Sequence, residues 1–385
     1  MGRKIMIVTG EASGDMHGAN LIRALKERDP SLEFCGMGGP EIKSSGVDIL
    51  FDANRVSVVG IVEVFAHLGD IFKAQQLLRK ELLRNPPDLL ILIDLPDFNL
   101  LLAKKAKKLG IPVFYYICPQ VWAWRSGRIK TLKKRADRFG VILPFEEQYF
   151  KERGLDATYV GHPLLDSVRI TKTKSQFLAE QNIDSNTKII GLLPGSRKRE
   201  VTSLLPIFLD AAEKLQTVVN EKLVFLIPKA SAIDLAVFKG AGIGLNDNID
   251  VRLIEDDRYN VMAACDCVVA ASGTVTLELA LLKVPMVVVY KLSPLTYLLA
   301  KHLVKLDNFA LVNLIAGYRA VPELLQEEVD SQSICNELAP LLNAYSTKKA
   351  MRKALELVND KLGGPGASEK AAHVALDTIE VTGGK

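Results

Sequence analysis

The chain has little of what marks secreted, metal-built or nucleic-acid-binding proteins. It carries five cysteines in 385 residues. That number is odd, and Cys265-Asp266-Cys267 lacks the two-residue gap of a zinc-binding pair. Reduced, cytosolic thiols are therefore expected rather than a disulfide scaffold. Histidines number only five, and none falls in a His-Glu-x-x-His arrangement, so we expect no metal and no cofactor. The excess of basic over acidic residues is +4, too slight for a nucleic acid partner, though compatible with an anionic ligand or an anionic membrane surface. No uncharged stretch is long enough to span a bilayer. The apolar run after Gly2-Arg3-Lys4 stops at Thr9, too soon for a signal-peptide core, which points to a cytoplasmic location. Low-complexity tracts and solenoid repeats are also missing. Aromatic residues are 6% of the chain, and both tryptophans, Trp122 and Trp124, fall in one segment, where a core role is expected for one of them.

What is present is an alternation. Short aliphatic runs such as Lys4 to Val8, Leu89 to Ile93, Val113 to Tyr116 and Phe139 to Ile142 alternate with helix-length amphipathic stretches such as Ala19 to Arg28 and Leu101 to Leu109. This is the sequence form of repeated βαβ units with a parallel sheet covered on both faces, an α/β class. The alternation pauses in a polar stretch between Gly161 and Lys188, read as a linker. It resumes at Ile189 to Leu193, Leu223 to Ile227, Cys267 to Ala270 and Met286 to Tyr290. The length also favours two domains. We expect two Rossmann-like doubly wound domains facing across a cleft, over residues 1–165 and 185–345, with ligands at the carboxyl ends of the strands.

Four strand ends carry residues suited to chemistry. The first strand enters Gly10-Glu11-Ala12-Ser13-Gly14-Asp15, small residues that let a backbone approach a ligand at a helix start. Glu11 and Asp15 would repel a pyrophosphate there unless they point elsewhere, and the alternative is a tight turn with Asp15 as a cap. The strand ending at Ile93 delivers Asp94-Leu95-Pro96-Asp97-Phe98-Asn99. A carboxylate flanked by apolar strand residues is partly desolvated and so more basic, which favours Asp94 as a general base; Asp97 suits a helix cap, and the choice between them stays open. In the second half Pro194-Gly195-Ser196-Arg197-Lys198-Arg199 opens a helix with a hydroxyl and basic groups, fit for phosphate. Ser272-Gly273-Thr274 offers donors at another helix start, with Glu278 able to accept from ribose hydroxyls. His17 and His162 are read as loop residues near the cleft.

Taken in order, Gly10 to Asp15, Gly60-Ile61-Val62-Glu63-Val64, Asp94 to Asn99, Val121-Trp122-Ala123-Trp124-Arg125, Leu193 to Arg197, Ser272 to Thr274 and Asn313-Leu314-Ile315-Ala316-Gly317 resemble the motif series of the lipid-A-disaccharide synthase family over nearly the whole chain. The resemblance implies a GT-B glycosyltransferase with the nucleotide held mainly by the second domain and the C-terminal helices, 346–385, packing back on the first. It implies inverting transfer from UDP-2,3-diacylglucosamine to 2,3-diacylglucosamine 1-phosphate, giving a β-1,6 disaccharide and UDP. Carried over, Asp94 and Arg197 match the essential aspartate and arginine, and Glu278 and Asn313 match residues at the UDP site. Cys118 departs from the serine often found before Pro119. The competing readings are a peptidoglycan glycosyltransferase, a UDP-sugar epimerase and an NAD-linked oxidoreductase; the last would need a dinucleotide fingerprint that the first turn lacks.

Diacylated substrates require a surface that meets lipid. Val64, Phe65, Leu68, Ile71 and Phe72 recur at spacings of three and four, followed closely by Lys73, Arg79, Lys80 and Arg84. We expect this face to attach the protein peripherally to the inner face of the cytoplasmic membrane, the alternative being that it packs on the first domain's sheet. Copy number is left open, and a homodimer is compatible with the sequence.

Overall fold

The computed structural model of the protein describes residues 2–55, 68–122, 126–230, 233–244, 248–292 and 308–383. Val64, Phe65 and Trp124, together with the segment Gly60 to Val64, lie outside the described residues. The chain forms two compact units, one made of Met1–Leu165 with Gly364–Lys385, the other of Asp166–Gly363.

In the first unit, β1 (Lys4–Val8), β2 (Glu33–Gly38), β3 (Asp48–Asp52), β4 (Leu89–Ile93), β5 (Val113–Tyr116), β6 (Arg138–Val141) and β7 (Ala157–Tyr159) form a parallel sheet in the order β3-β2-β1-β4-β5-β6-β7. A strand buried on both faces must be apolar at every position, and its alternate residues feed two separate cores. Ile5, Ile7, Leu89, Ile91 and Ile93 point to one side, against Leu21, Ile22 and Leu25 of the helix Ala12–Arg28 and against Ala371, Ala372 and Ala375 of the helix Ala367–Gly383. Met6, Val8, Leu90 and Leu92 point to the other, against Leu78 and Leu82 of the helix Leu68–Arg84 and Leu102, Ala103 and Ala106 of the helix Pro96–Lys108. Each such leucine is worth roughly 1.5–3 kcal/mol in burial.

In the second unit, β8 (Lys188–Leu193), β9 (Leu223–Pro228), β10 (Val251–Ile254), β11 (Cys267–Ala271), β12 (Met286–Tyr290) and β13 (Glu323–Leu325) form a parallel sheet in the order β10-β9-β8-β11-β12-β13. The helix Lys198–Val218 buries Val201, Leu204, Leu205 and Phe208. Both units therefore share one winding. Strand order reverses between β1 and β4 in the first and between β8 and β11 in the second, the positions where such sheets open a crevice at their carboxyl ends.

Three expectations need correction. The stretch Gly161 to Lys188 is not a bare linker: it holds the helices Leu164–Ser167 and Lys174–Glu180, the second capped by Thr173 and anchored by buried Phe177 and Leu178. Of the terminal residues 346–385, only the helix Ala367–Gly383 packs on the first unit. The helix Tyr345–Leu362 lies against the helices Val275–Leu281, Leu311–Ala316 and Ser331–Asn343 of the second, where Met351, Leu355, Val358 and Leu362 are buried. Finally, the apolar stripe of helix Leu68–Arg84 is split. Ile71 packs on the core beside Ala74 and Leu78, whereas Leu68 and Phe72 face outward, 49% and 73% exposed. At 3.6 residues per turn Leu68 and Phe72 lie about 60° and about 100° around the helix axis from Ile71, off the side that meets the sheet.

The buried Asp15 ties two helices together. Its carboxylate accepts backbone N–H groups from Gly39 (2.6 Å), Glu41 (2.9 Å) and Ile42 (3.2 Å), the opening turn of the helix Pro40–Ser44. Asp15→Ala leaves three donors without their acceptor and is expected to cost about 2–4 kcal/mol in urea unfolding. A change below about 0.5 kcal/mol would contradict this role.

Candidate active site

In the first unit the pairing of β1 with β4 sets Val8 level with Leu92, so the loops after the two strands leave the sheet side by side. The second loop turns at once. Asp94 and Leu95 both take left-handed backbone angles, with φ of 51° and 43°, and the helix Pro96–Lys108 begins directly after them. The Asp94 carboxyl is largely buried. That burial, reinforced by the neighbouring Glu11 carboxylate and opposed by the Leu95 backbone N–H, pushes it up to about 6. A carboxyl of that basicity is mostly ionised at neutral pH and able to accept a proton. Asp97 sits elsewhere in character: it lies inside the first helical turn rather than at its cap, is exposed, and pairs with Arg128. Asn99 is fully buried and donates to the carbonyls of Ile93 (3.1 Å) and Asp94 (2.7 Å).

The Gly10 to Asp15 turn is more than a run of small residues opening a helix. Asp15 is committed to the helix Pro40–Ser44, Glu11 lies close enough to Asp94 to raise its basicity, and Ser13 is an exposed residue of the first helical turn. Gly14 is demanded by close approach, since a Cβ there would stand 2.2 Å from Thr9 Oγ1. The turn supplies carboxylate density. His17 is a half-buried residue of the helix Ala12–Arg28, whereas His162 is a buried residue of the loop before the helix Leu164–Ser167; burial holds the first near 4 and the second near 3, the latter also lowered by His17, so both are neutral at pH 7. His162 accepts from the Leu164 N–H at 3.2 Å.

A further carboxyl went unnoticed in the sequence. Glu146 accepts from the Trp122 indole N–H at 2.9 Å and from the backbone N–H groups of Ile142 and Leu143, and burial raises it to about 7. Trp122 is half-buried and meets Phe145 edge to face, so it fastens its loop to the helix Pro144–Lys151.

In the second unit the register sets Leu193 level with Ala270, again bringing two loops out together. After β8, Ser196 and Arg197 are exposed at the start of the helix Lys198–Val218, and their backbone N–H groups donate to Glu200 Oε2 at 3.0 and 3.2 Å. Glu200 is thus a built-in carboxylate on the donors that the sequence offered to phosphate. Its signal was the Arg197-x-x-Glu200 spacing of a capping box. The Arg197 guanidinium also touches Glu200 at 3.2 Å, and its side chain is half in solvent.

After β11, Ser272 donates its N–H to Val289, extending the sheet, and Gly273 and Thr274 are exposed. Gly273 has no atom within 4 Å of where a Cβ would stand and no left-handed φ. Neither packing nor backbone shape demands glycine there. Glu278 is buried and ion-pairs with Arg258, a residue 20 positions away for which the sequence gave no local signal. Burial raises the Glu278 carboxyl and Arg258 opposes the rise. Asn313 has another task. Its amide donates to Val321 O (2.9 Å) and Glu323 Oε1 (2.6 Å) and accepts from Ala320 (2.8 Å) and Val321 (3.0 Å), so every polar atom of the side chain is engaged in holding residues 320–323. Any part it plays toward a nucleotide is through shape. Among the described residues, no group of three or more His, Cys, Asp or Glu is placed to hold a metal ion.

Both units thus carry their candidate residues where strand order reverses, and solved structures of like fold handle nucleotide sugars or transfer sugars. The UDP-GlcNAc 2-epimerase of Neisseria meningitidis bound to UDP-GlcNAc has a TM-score of 0.66 at 14% identity, covering 98% of this chain and 100% of that one. The calicheamicin glycosyltransferase CalG4 has a TM-score of 0.60 at 15% identity, covering 100% and 99%. At such identities the likeness is one of fold, and the fold is the two-Rossmann GT-B type. Family comes from the sequence itself. A profile described as lipid-A-disaccharide synthetase matches residues 5–377. The lipid-A-disaccharide synthase of Syntrophus aciditrophicus is 46% identical over 376 residues, 98% of each chain, and that of Geobacter sulfurreducens is 44% identical over 379 residues, 98% of this chain and 97% of the other. The chain belongs to the lipid-A-disaccharide synthase family, the UDP-sugar glycosyltransferases of lipid A biosynthesis. The motif resemblance holds, and the epimerase, peptidoglycan and oxidoreductase readings are not favoured.

Arg258→Ala leaves Glu278 buried without its cation. Because a carboxyl raised above its unfolded value of about 4.5 destabilises the fold once ionised, the loss relative to the parent protein is expected to grow as pH rises from 4 to 7. It should reach on the order of 1 kcal/mol, since Arg258 is half in solvent and its share is screened. Thermal melts at both pH values measure it, and a difference that stays constant with pH would refute the pairing.

Proposed function

We propose that the enzyme joins UDP-2,3-diacylglucosamine to 2,3-diacylglucosamine 1-phosphate, with the first unit supplying the base and the second holding the nucleotide. The observation that carries this is the Asp94 carboxylate, half-buried at the end of β4 beside Glu11 and raised to about 6. In the reaction Asp94 takes the proton of the acceptor's 6-hydroxyl as that oxygen bonds to the anomeric carbon. The bond from that carbon to UDP breaks, its electron pair leaves on the β-phosphate oxygen, and the configuration inverts to β. The developing charge needs fixed donors, and support for their identity lies in exposed Arg197 and the Gly273-Thr274 turn at a helix start. Glu278, paired with Arg258, accepts from the ribose hydroxyls. Asp97, exposed and paired to Arg128, is the weaker candidate for the base.

Asp94→Asn keeps the shape and removes the proton acceptor. We expect transfer to fall by at least about 1,000-fold with UDP affinity unchanged. In the parent enzyme the carboxyl must be ionised to work, so kcat/KM should rise with pH through about 6 and level off above it. Near-normal turnover in Asp94→Asn would transfer the role to Asp97.

Among the described residues no helix is long and apolar enough to cross a membrane. Peripheral contact with the inner face of the cytoplasmic membrane, near the entry of the acyl chains, is proposed for Leu68 and Phe72, which project outward beside exposed Lys73 and Lys80. Phe72→Ser combined with Leu68→Ser removes apolar area that the core does not use. It should therefore release the protein from vesicles containing anionic phospholipid while leaving its melting temperature within about 2 °C. Binding that persists would place the attachment elsewhere.

A further inference from the structure

The Asp94-Leu95 turn is costly as built. Two successive non-glycine residues in the left-handed region are strained, and nothing in a leucine side chain offsets that locally. Something must hold the turn, and three donors converge on it. Asn99 Nδ2 reaches the carbonyls of Ile93 (3.1 Å) and Asp94 (2.7 Å), and the Tyr115 hydroxyl reaches the same Asp94 carbonyl at 2.6 Å. Both side chains are themselves fully buried, Tyr115 on the neighbouring strand β5 and Asn99 one turn into the helix that follows. Three such bonds, each made by a buried donor, oppose the strain. Gly10 completes the arrangement, because a Cβ there would stand 2.4 Å from Leu95 Cδ2.

We infer that Tyr115 and Asn99 are positioning residues for the reaction: by gripping the Ile93 and Asp94 carbonyls they keep the Asp94 carboxylate in its dry, aimed orientation. Neither touches substrate in this account. Asn99 is thereby moved from the acceptor side of the site to its scaffold, and Tyr115 is added to it. The inference rests on Asp94 being the base, and it separates from that reading by experiment. If the grip is released, the turn relaxes toward ordinary backbone angles and the carboxylate reaches water, so its basicity falls toward that of a normal aspartate.

The test is Tyr115→Phe, which removes one oxygen and keeps the ring in the core, with Asn99→Ser as a second variant should the first fold poorly. Expected are a kcat lowered about tenfold, KM for both substrates and UDP affinity within about twofold of the parent, and an acid limb of the kcat/KM profile displaced to lower pH. Carbon-13 NMR titration of the Asp94 carboxyl, which does not depend on turnover, should show the same downward displacement. A carboxyl that titrates as in the parent protein in both variants overturns the inference, whatever the rate. Full turnover in Asp94→Asn would instead overturn the assignment of the base, with the titration still deciding whether the grip exists.

Discussion

The register between strands that are neighbours in the sheet but distant in the chain is the constraint on which the rest depends. Val8 opposite Leu92 and Leu193 opposite Ala270 are each one rung of a parallel ladder, held by burial on both faces. A slip of one residue would turn every aliphatic side chain of β1 or β8 toward the wrong core, so the rungs cannot move. With them fixed, the Glu11 and Asp94 loops must emerge together in one unit, and the Arg197 and Ser272 loops in the other. The chemistry is a by-product of where apolar strands are forced to end.

The two units use those ends for opposite electrostatic purposes. In the first, Asp94 is dried by its surroundings and faced with a second carboxylate, which makes it a better proton acceptor. In the second, backbone N–H groups and Arg197 gather positive character, tempered by Glu200. The base and the receiver for a leaving anion that we propose need those contrary environments. Housing them in separate sheets avoids having one neutralise the other.

The interior of both sheets was legible in the sequence, because strands such as Leu89-Leu90-Ile91-Leu92-Ile93 can only be dry on both sides. The four edge strands, β3, β7, β10 and β13, were not read. An edge has one partner and partial exposure, so its run is short or broken by residues such as Asp48 and Arg252. Strand β2 was missed for another reason: Gly36 sits there because a Cβ would stand 1.9 Å from the Ile7 carbonyl, and glycine hides the strand signal. At the site, residue types were readable and partners were not. Asp15 was seen as a carboxylate near a ligand, yet its acceptors' donors lie 24 to 27 positions away. Arg258 and Tyr115 act through contacts that only the fold creates. The division of the Leu68 to Phe72 stripe was likewise invisible, since apolar spacing alone does not say which side of a helix the sheet will claim.

The first unit is finished by the helix Ala367–Gly383, whose small alanines close one face of its sheet. On the ribosome, residues 1–165 emerge long before that helix exists. Their Ile5, Ile7 and Ile91 face then has the helix Ala12–Arg28 but lacks its second covering helix while the whole second unit is translated. The nascent chain is therefore most exposed to aggregation and to chaperones in that interval, and the order of synthesis makes the second unit, Asp166–Gly363, the first whose residues are all present.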